Sequence, residues 1–420
     1  MRVADVTDRS GLRFGYSSSS CLAVAGDGRA LVLWSQRGPE LDELWAQSFA
    51  PNGLAGPRES IQGGERLPRL SEILCGLDDA GLGYASWVEY SQNQSRLLAR
   101  RFRPQGWDSA SFLIDERPYA PDLGVSGRIR HDLVVEGGGR AVIAWIGEAG
   151  IRSGVGTDGV WTDAGLVEPR PFWDSTEVRI HARGGLALAA YARDYIYPGG
   201  ARGMAAYARF LGPSGWGPAH RLGATQGVGV RRPTLDDQGR STVVTDQTRF
   251  PVTFTCTNRY QDSAWSETSC RVPLGASDPA GAANGEVFLL IVDGAEKTPT
   301  AVRWLPGGTE PVIAPVGTGG EWTAVFGAVL SADGTSHAVW TPSTRPWVSR
   351  AWLRGPWRAE PVPGARAAPP SPLPCSPDLF NGAAELRLGA DARGNEVLTW
   401  IEGECGTGTL WMQRWTNGTP

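Results

Sequence analysis

A glycine followed six residues later by tryptophan recurs along the chain, as Gly28 to Trp34, Gly81 to Trp87, Gly139 to Trp145, Gly334 to Trp340 and Gly394 to Trp400. Degenerate copies place Tyr191 after Gly185, Thr245 after Gly239 and Ile291 after Gly285. The eight anchors stand 46 to 60 residues apart. Between anchor and aromatic the residues are small or apolar on both faces, as in ALVL (30–33) and AVIA (141–144). A strand apolar on both faces is buried on both. Ahead of three anchors, Asp78, Asp236 and Asp391 stand three residues before the glycine. Aspartate at the first position of a tight turn and glycine at the fourth is a turn signature.

The rest of each unit follows the same order. A second alternating strand comes next, as in RLLARRF (96–102), MAAYARF (204–210) and RAWLR (350–354). A short turn then ends in Trp107, Trp161, Trp216, Trp265 or Trp357, with Leu54 and Glu310 at that place in the first and sixth units. A fourth strand such as GPAHRLG (217–223) completes the unit. Four short strands repeated at this spacing predict an all-β chain, a β-propeller of eight four-stranded blades forming a single domain over residues 1–420. The last unit stops after its third strand, LWMQRW (410–415), and residues 1–20 are expected to supply the missing fourth strand and close the ring. Seven blades with an irregular unit near residues 285–330 is the alternative.

Net charge is −4 at neutral pH, which gives no basic footprint for nucleic acid. No apolar run is long enough to cross a bilayer as a helix. The opening residues MRVADVTDRSGLRFG have no apolar export core. An export signal is therefore expected to be absent, or removed with Met1 in its place.

The six cysteines all have local partners within the repeat. Cys21 and Cys75 lie seven and six residues before their anchors, on innermost strands of adjacent units. Cys256 and Cys270 flank the turn between the third and fourth strands of one unit, and Cys375 and Cys405 fall in connections on one face. Three disulfides, Cys21–Cys75, Cys256–Cys270 and Cys375–Cys405, are expected, and with them a secreted, periplasmic or surface-anchored protein. Six reduced thiols in a cytoplasmic protein is the competing reading. Metal-binding cysteine or histidine spacing does not occur.

The turns between first and second strands and between third and fourth strands are short and stereotyped. The other two connections vary, and binding usually resides on variable loops. Candidate binding residues there are Trp173, Tyr195, Tyr197, Trp322, Arg345 and Trp347. Aromatic rings beside charged groups suit sugar stacking or peptide anchoring. Their alternative role is packing on their own unit. A second group lies on innermost strands: His131, His181, Arg179 and Arg232, with Arg130 and Arg387 at comparable places. Arginines at a channel mouth would attract an anionic sugar such as a uronate or sialate through bidentate contacts. Inner-strand polar residues also simply bridge blades.

Nucleotide, hydrolase-elbow and zinc-protease motifs are missing. Asp27 and Asp333 precede turn glycines without the Asp/Asn ladder of a calcium loop, so calcium stays a minor candidate and no cofactor is expected. The spaced Asp-x-x-Gly-x-Ala-x-x-x-Trp units resemble a loosely defined group of bacterial secreted or surface β-propeller repeat proteins. An Asp box of sialidases differs, since its glycine and tryptophan lie closer together between outer strands. The resemblance implies fold and nothing about catalysis. The expected function is a non-catalytic, extracytoplasmic and monomeric binding propeller that recognises a protein or glycan partner through its variable loops. The alternatives are a carbohydrate-active enzyme, lyase or glycosidase, at the channel mouth near His131 and His181, and a scaffold for an envelope assembly.

Overall fold

The computed structural model describes residues 2–7, 20–37, 40–62, 66–118, 129–169, 175–196, 200, 202–249, 252–271, 273–293, 298–308, 310–316, 323–331, 335–342, 349–353, 358–361, 382–403 and 407–415. These residues form β-strands and turns with no helix, hence none long and apolar enough to cross a membrane. The chain is an all-β protein of propeller arrangement. The strands of the described residues fall into eight antiparallel sheets, numbered one to eight in chain order: residues 20–60, 69–118, 131–168, 175–225, 227–271, 273–315, 323–361, and 382–415 with the strand Arg2–Thr7. In the eighth sheet Arg2–Thr7 pairs with Thr407–Trp415.

Two compact units are present, residues 129–320 and the remainder. Sheets three to six make the first of these, which we call the central unit. Sheets one, two, seven and eight make the other, the terminal unit.

The repeated motif forms the turn between first and second strands and then the second strand. In sheet two, Asp78 Oδ1 accepts the Leu82 N–H at 2.8 Å and its carbonyl accepts the Gly81 N–H at 3.0 Å. Gly81 sits at φ +76°, in the left-handed region that glycine enters at little cost. Asp391 uses Oδ1 in the same way for the Arg393 and Asn395 N–H groups. The second strands are the most buried elements: Ala30 to Trp34, Ala141 to Ile146 and Ala187 to Ala192 are all buried. They build the cores between neighbouring sheets. Leu31 and Leu33 of sheet one pack with Ala85 and Trp87 of sheet two. Val142 and Ala144 of sheet three pack with Ala189 and Tyr191 of sheet four. A narrow sheet cannot bury two apolar faces alone, so each depends on its neighbours.

The fourth strand of sheet four runs over His220–Thr225 rather than 217–223, because Pro218 has no N–H for the ladder. Cys21 and Cys75 form a disulfide between the first strands of sheets one and two, with Cα atoms 5.9 Å apart. Cys256 and Cys270 face each other in register and form a second one. Cys375 and Cys405 lie outside the described residues.

Candidate functional site in the central unit

Prolines break two neighbouring first strands at the same place. Sheet five begins with Gly227–Val230 and resumes at Thr234–Leu235, and sheet six begins with Pro273–Ala276 and resumes at Ala280–Gly281. Pro233 and Pro279 are the last residues of the gaps and cannot donate to a ladder. The residues just before them, Arg232 and Asp278, each stand seven residues ahead of their anchors. Freed from its own ladder, the Arg232 N–H crosses to the next sheet and donates to Asp278 Oδ1 at 3.2 Å.

Asp132 and Arg179 occupy the matching places in sheets three and four, seven and six residues before their anchors. Asp132 is fully buried. Its Oδ2 accepts the Ile180 N–H of sheet four at 2.9 Å and Arg232 Nε of sheet five at 3.2 Å, while Arg232 Nη2 donates to Oδ1. Arg179 donates Nε and Nη2 to Glu177 Oε1 at 3.2 and 2.8 Å. Glu177 Oε2 in turn accepts the Val230 N–H of sheet five at 3.0 Å. One polar network thus joins the first strands of four sheets.

Burial pushes His131 down to about 4, with Asp132 partly opposing and Arg179 reinforcing. Burial likewise takes His181 to about 4, reinforced by Arg232 and Arg183 and opposed by Asp132. Both imidazoles are therefore neutral at pH 7. The strands crowded around Asp278 would raise its pKa even though its surface meets solvent, but Arg179, Arg232 and Arg231 outweigh this and hold the carboxyl below its usual range. Burial also opposes the charge of Arg179, yet Asp132, Glu177 and Asp278 raise its pKa on balance.

Parts of this network face solvent. The side chains of Arg179 and Arg232 are 35% and 36% exposed, and Asp278 is exposed. Each guanidinium spends its Nε and Nη2 on a carboxylate, and neither Nη1 has a hydrogen-bond partner among the described residues. Asp278 Oδ2 has none either, and His181 Nδ1 is buried without one. Free donor edges beside a free acceptor can take a hydroxylated or carboxylated ligand. Asp132, Glu177 and Asp278 against Arg179 and Arg232 leave one net negative charge, because Arg231 is neutralised by Asp246. The arginines therefore do not present a bare cationic ring.

Of the residues singled out from sequence, His131, His181, Arg179 and Arg232 belong to one neighbourhood. Trp173, Tyr197, Trp322, Arg345 and Trp347 lie outside the described residues. Tyr195 is described by its backbone alone, paired with Gly203. Sequence reading missed the carboxylates Asp132, Glu177 and Asp278. The usable signal was the pair Arg232-Pro233 and Asp278-Pro279 at one offset from successive anchors.

Comparison by sequence finds no matching family model and no matching curated protein. Solved structures do resemble the chain. A lectin from Burkholderia pseudomallei matches at TM-score 0.50 and 10% identity, over 82% of this chain and 98% of its own. A puromycin hydrolase matches at TM-score 0.46 and 16% identity over 94% of this chain, which spans only 59% of that enzyme's length. A polysaccharide lyase acting as an ulvan lyase matches at TM-score 0.46 and 10% identity, over 86% of this chain and 95% of its own. At these identities the likeness is one of fold: the chain is a β-propeller.

Proposed function

We propose that this protein is a non-catalytic, extracytoplasmic binding propeller that recognises a glycan at the first strands of sheets three to six. The reading takes the eight sheets as blades of one propeller domain, with Arg2–Thr7 as the closing strand of the last. The observation that carries it is the set of unused edges on Arg179 Nη1, Arg232 Nη1 and Asp278 Oδ2, on side chains that are partly or wholly exposed. A carboxylate that accepts from sugar hydroxyls, flanked by donors to ring or hydroxyl oxygens, is the polar part of a carbohydrate site. The net charge of the group favours a neutral sugar over a uronate or sialate. Catalysis fits less well: His131 is buried and His181 half-buried, and both have pKa values near 4, too low for an efficient proton carrier at neutral pH. The Cys21–Cys75 and Cys256–Cys270 disulfides support an oxidising compartment.

Calorimetric titration with a panel of neutral and acidic oligosaccharides tests this. At least one neutral oligosaccharide should bind, and Asp278→Asn, which keeps the shape of the site, should weaken it about tenfold, the loss of one charged hydrogen bond. Binding unchanged in Asp278→Asn, or no binding across the panel, would overturn the reading.

A further inference from the structure

A second polar recess lies in the central unit, at the opposite end of the inner strands, where sheets five and six meet. It is a shallow recess, lined among others by Thr234, Asp236, Arg240, Thr242, Arg259 and Glu286. Thr234, Thr242 and Arg259 form one row across three strands of sheet five, Thr242 pairing with both of the others. Directly paired residues put their side chains on the same face, close enough to act together. Opposite them are Gly285 and Glu286 of sheet six.

The charges of this recess do not cancel. Asp236 is spent on its own turn and on Arg240, whose Nε donates to Oδ2 at 2.6 Å. Glu286 is paired with Arg303. Three arginines, Arg240, Arg259 and Arg303, stand against two carboxylates, leaving one positive charge. The surplus belongs to Arg259. It donates Nη1 to the Gly308 carbonyl, and its Nε and Nη2 have no hydrogen-bond partner among the described residues. Thr242 is 1% exposed, and its Oγ1 is also without a partner. Burial lowers the Arg259 pKa and nearby Arg240 lowers it further, with Asp236 offsetting only part, so an uncompensated cation sits here at a cost.

The repeat shows what is missing. Arg101, Arg259 and Arg414 all stand twenty residues after their anchors, at equivalent places on third strands. Arg101 has a carboxylate: Nε donates to Asp108 Oδ2 at 2.9 Å, and the Asp108 N–H bonds back to the Arg101 carbonyl. Arg414 is surrounded by carbonyls, those of Gly28, Ala50 and Pro51. Beside Arg259 the residue matching Asp108 is Ser266, which makes the same backbone contact at 2.7 Å but brings no charge. In this sheet the repeat has kept the arginine and lost its counterion.

We propose that the recess binds an oxyanion, a carboxylate, sulfate or phosphate group. Arg259 Nε and Nη2 hold two of its oxygens and Thr242 Oγ1 donates to it. An anion of this kind takes the place that Asp108 holds beside Arg101. The bidentate edge of a guanidinium matches the spacing of two such oxygens.

The probes are sodium sulfate, sodium phosphate and sodium acetate titrated against the intact protein at constant ionic strength, with chloride as the control, followed by calorimetry and by thermal shift. A sulfated disaccharide and a uronate disaccharide form a second arm. At least one oxyanion should bind and raise Tm where chloride does not. Ser266→Asp supplies the counterion seen at Arg101, and should fold normally and weaken oxyanion binding at least tenfold. Arg259→Met should do the same, and if it fails to fold the Ser266→Asp result stands alone. Tighter binding of a disaccharide than of its free ion assigns the oxyanion to a glycan, and equal binding assigns it to a free ion. No oxyanion effect in the native protein, or full binding retained in Ser266→Asp, overturns the proposal. Neither variant touches Asp278, so failure here leaves the sugar-binding reading untouched.

Discussion

One position in the repeat is filled in two ways in the two compact units. Six or seven residues ahead of the anchor, sheets one and two of the terminal unit place Cys21 and Cys75, which bond covalently. In the central unit the same position holds Asp132, Arg179, Arg232 and Asp278, which tie sheets three to six together through backbone N–H groups between neighbouring sheets and an ion pair from sheet three to sheet five. Both arrangements tie first strands together, but they differ in what remains. A disulfide has no unused valence. A guanidinium with one edge paired still has another to offer, and so does a carboxylate with one oxygen occupied. The charged version can hold a structure and a ligand with the same side chains, and the covalent version cannot.

Removing the covalent tie should have the largest effect. Cys21→Ser with Cys75→Ser opens a loop of 54 residues, and the chain-entropy relation puts the cost at about 4 kcal/mol. Non-reducing denaturant unfolding measures it. A loss below about 1 kcal/mol would mean that apolar packing around Leu31, Leu33 and Trp87 already holds the two sheets without help.

The ionic tie ranks next. Asp132→Ala removes a fully buried acceptor and leaves the Ile180 N–H and the Arg232 guanidinium unsatisfied. Breaking a buried pair costs roughly 3–5 kcal/mol, but Arg232 can turn to solvent, so about 2–3 kcal/mol is expected. If Asp132→Ala costs as much as the double cysteine change, Arg232 does not escape to water, and its exposure overstates its freedom.

How much of this contrast was legible beforehand depends on how far apart the partners lie. The turn at Asp78-x-x-Gly81 and the buried run Leu31 to Trp34 are local, and they were readable from spacing alone. Cys256 and Cys270 were readable because register places them opposite each other in a hairpin. Asp132 and Arg232 are 100 residues apart and meet only through the packing of three sheets. No periodicity within a single unit encodes that contact, so the arginine drew attention and its carboxylate did not. Arg259 was invisible for a different reason. Its signal is a residue that should be charged and is not, Ser266 for aspartate, and an absence shows only once equivalent positions are superposed.

Protons act on the central unit's network more gently. His131 is 3% exposed and has a pKa of about 4 when folded, against 6.5 for the free side chain. The folded state therefore favours the neutral ring. This stability is fully present above pH 6.5 and is lost as pH falls toward 4, because the unfolded chain takes up the proton first. Between pH 6.5 and 5 the loss from this one residue is about 2 kcal/mol. His131→Gln should flatten the fall of Tm across that window. An unchanged slope would place the acid sensitivity elsewhere, His181 being the first candidate.

The smallest effect isolates burial as the variable. Arg183 and Asp237 also link two sheets of the central unit, with Nε 2.5 Å from Oδ1, but their side chains are 33% and 58% exposed. The chemistry matches that of Arg232 and Asp132, and the environment is wet at both ends. Exposed pairs of this kind contribute about 0.5 kcal/mol, reduced further by salt. Arg183→Gln should therefore change unfolding stability by about 0.5 kcal/mol, against about 2–3 kcal/mol for Asp132→Ala, with 0.5 M salt removing most of the smaller effect and little of the larger. Equal costs would show that the network at Asp132 is as solvated as the surface pair. Its inner-strand position would then confer no special strength, and the unused edges of Arg179 and Arg232 would compete with bulk water for any ligand.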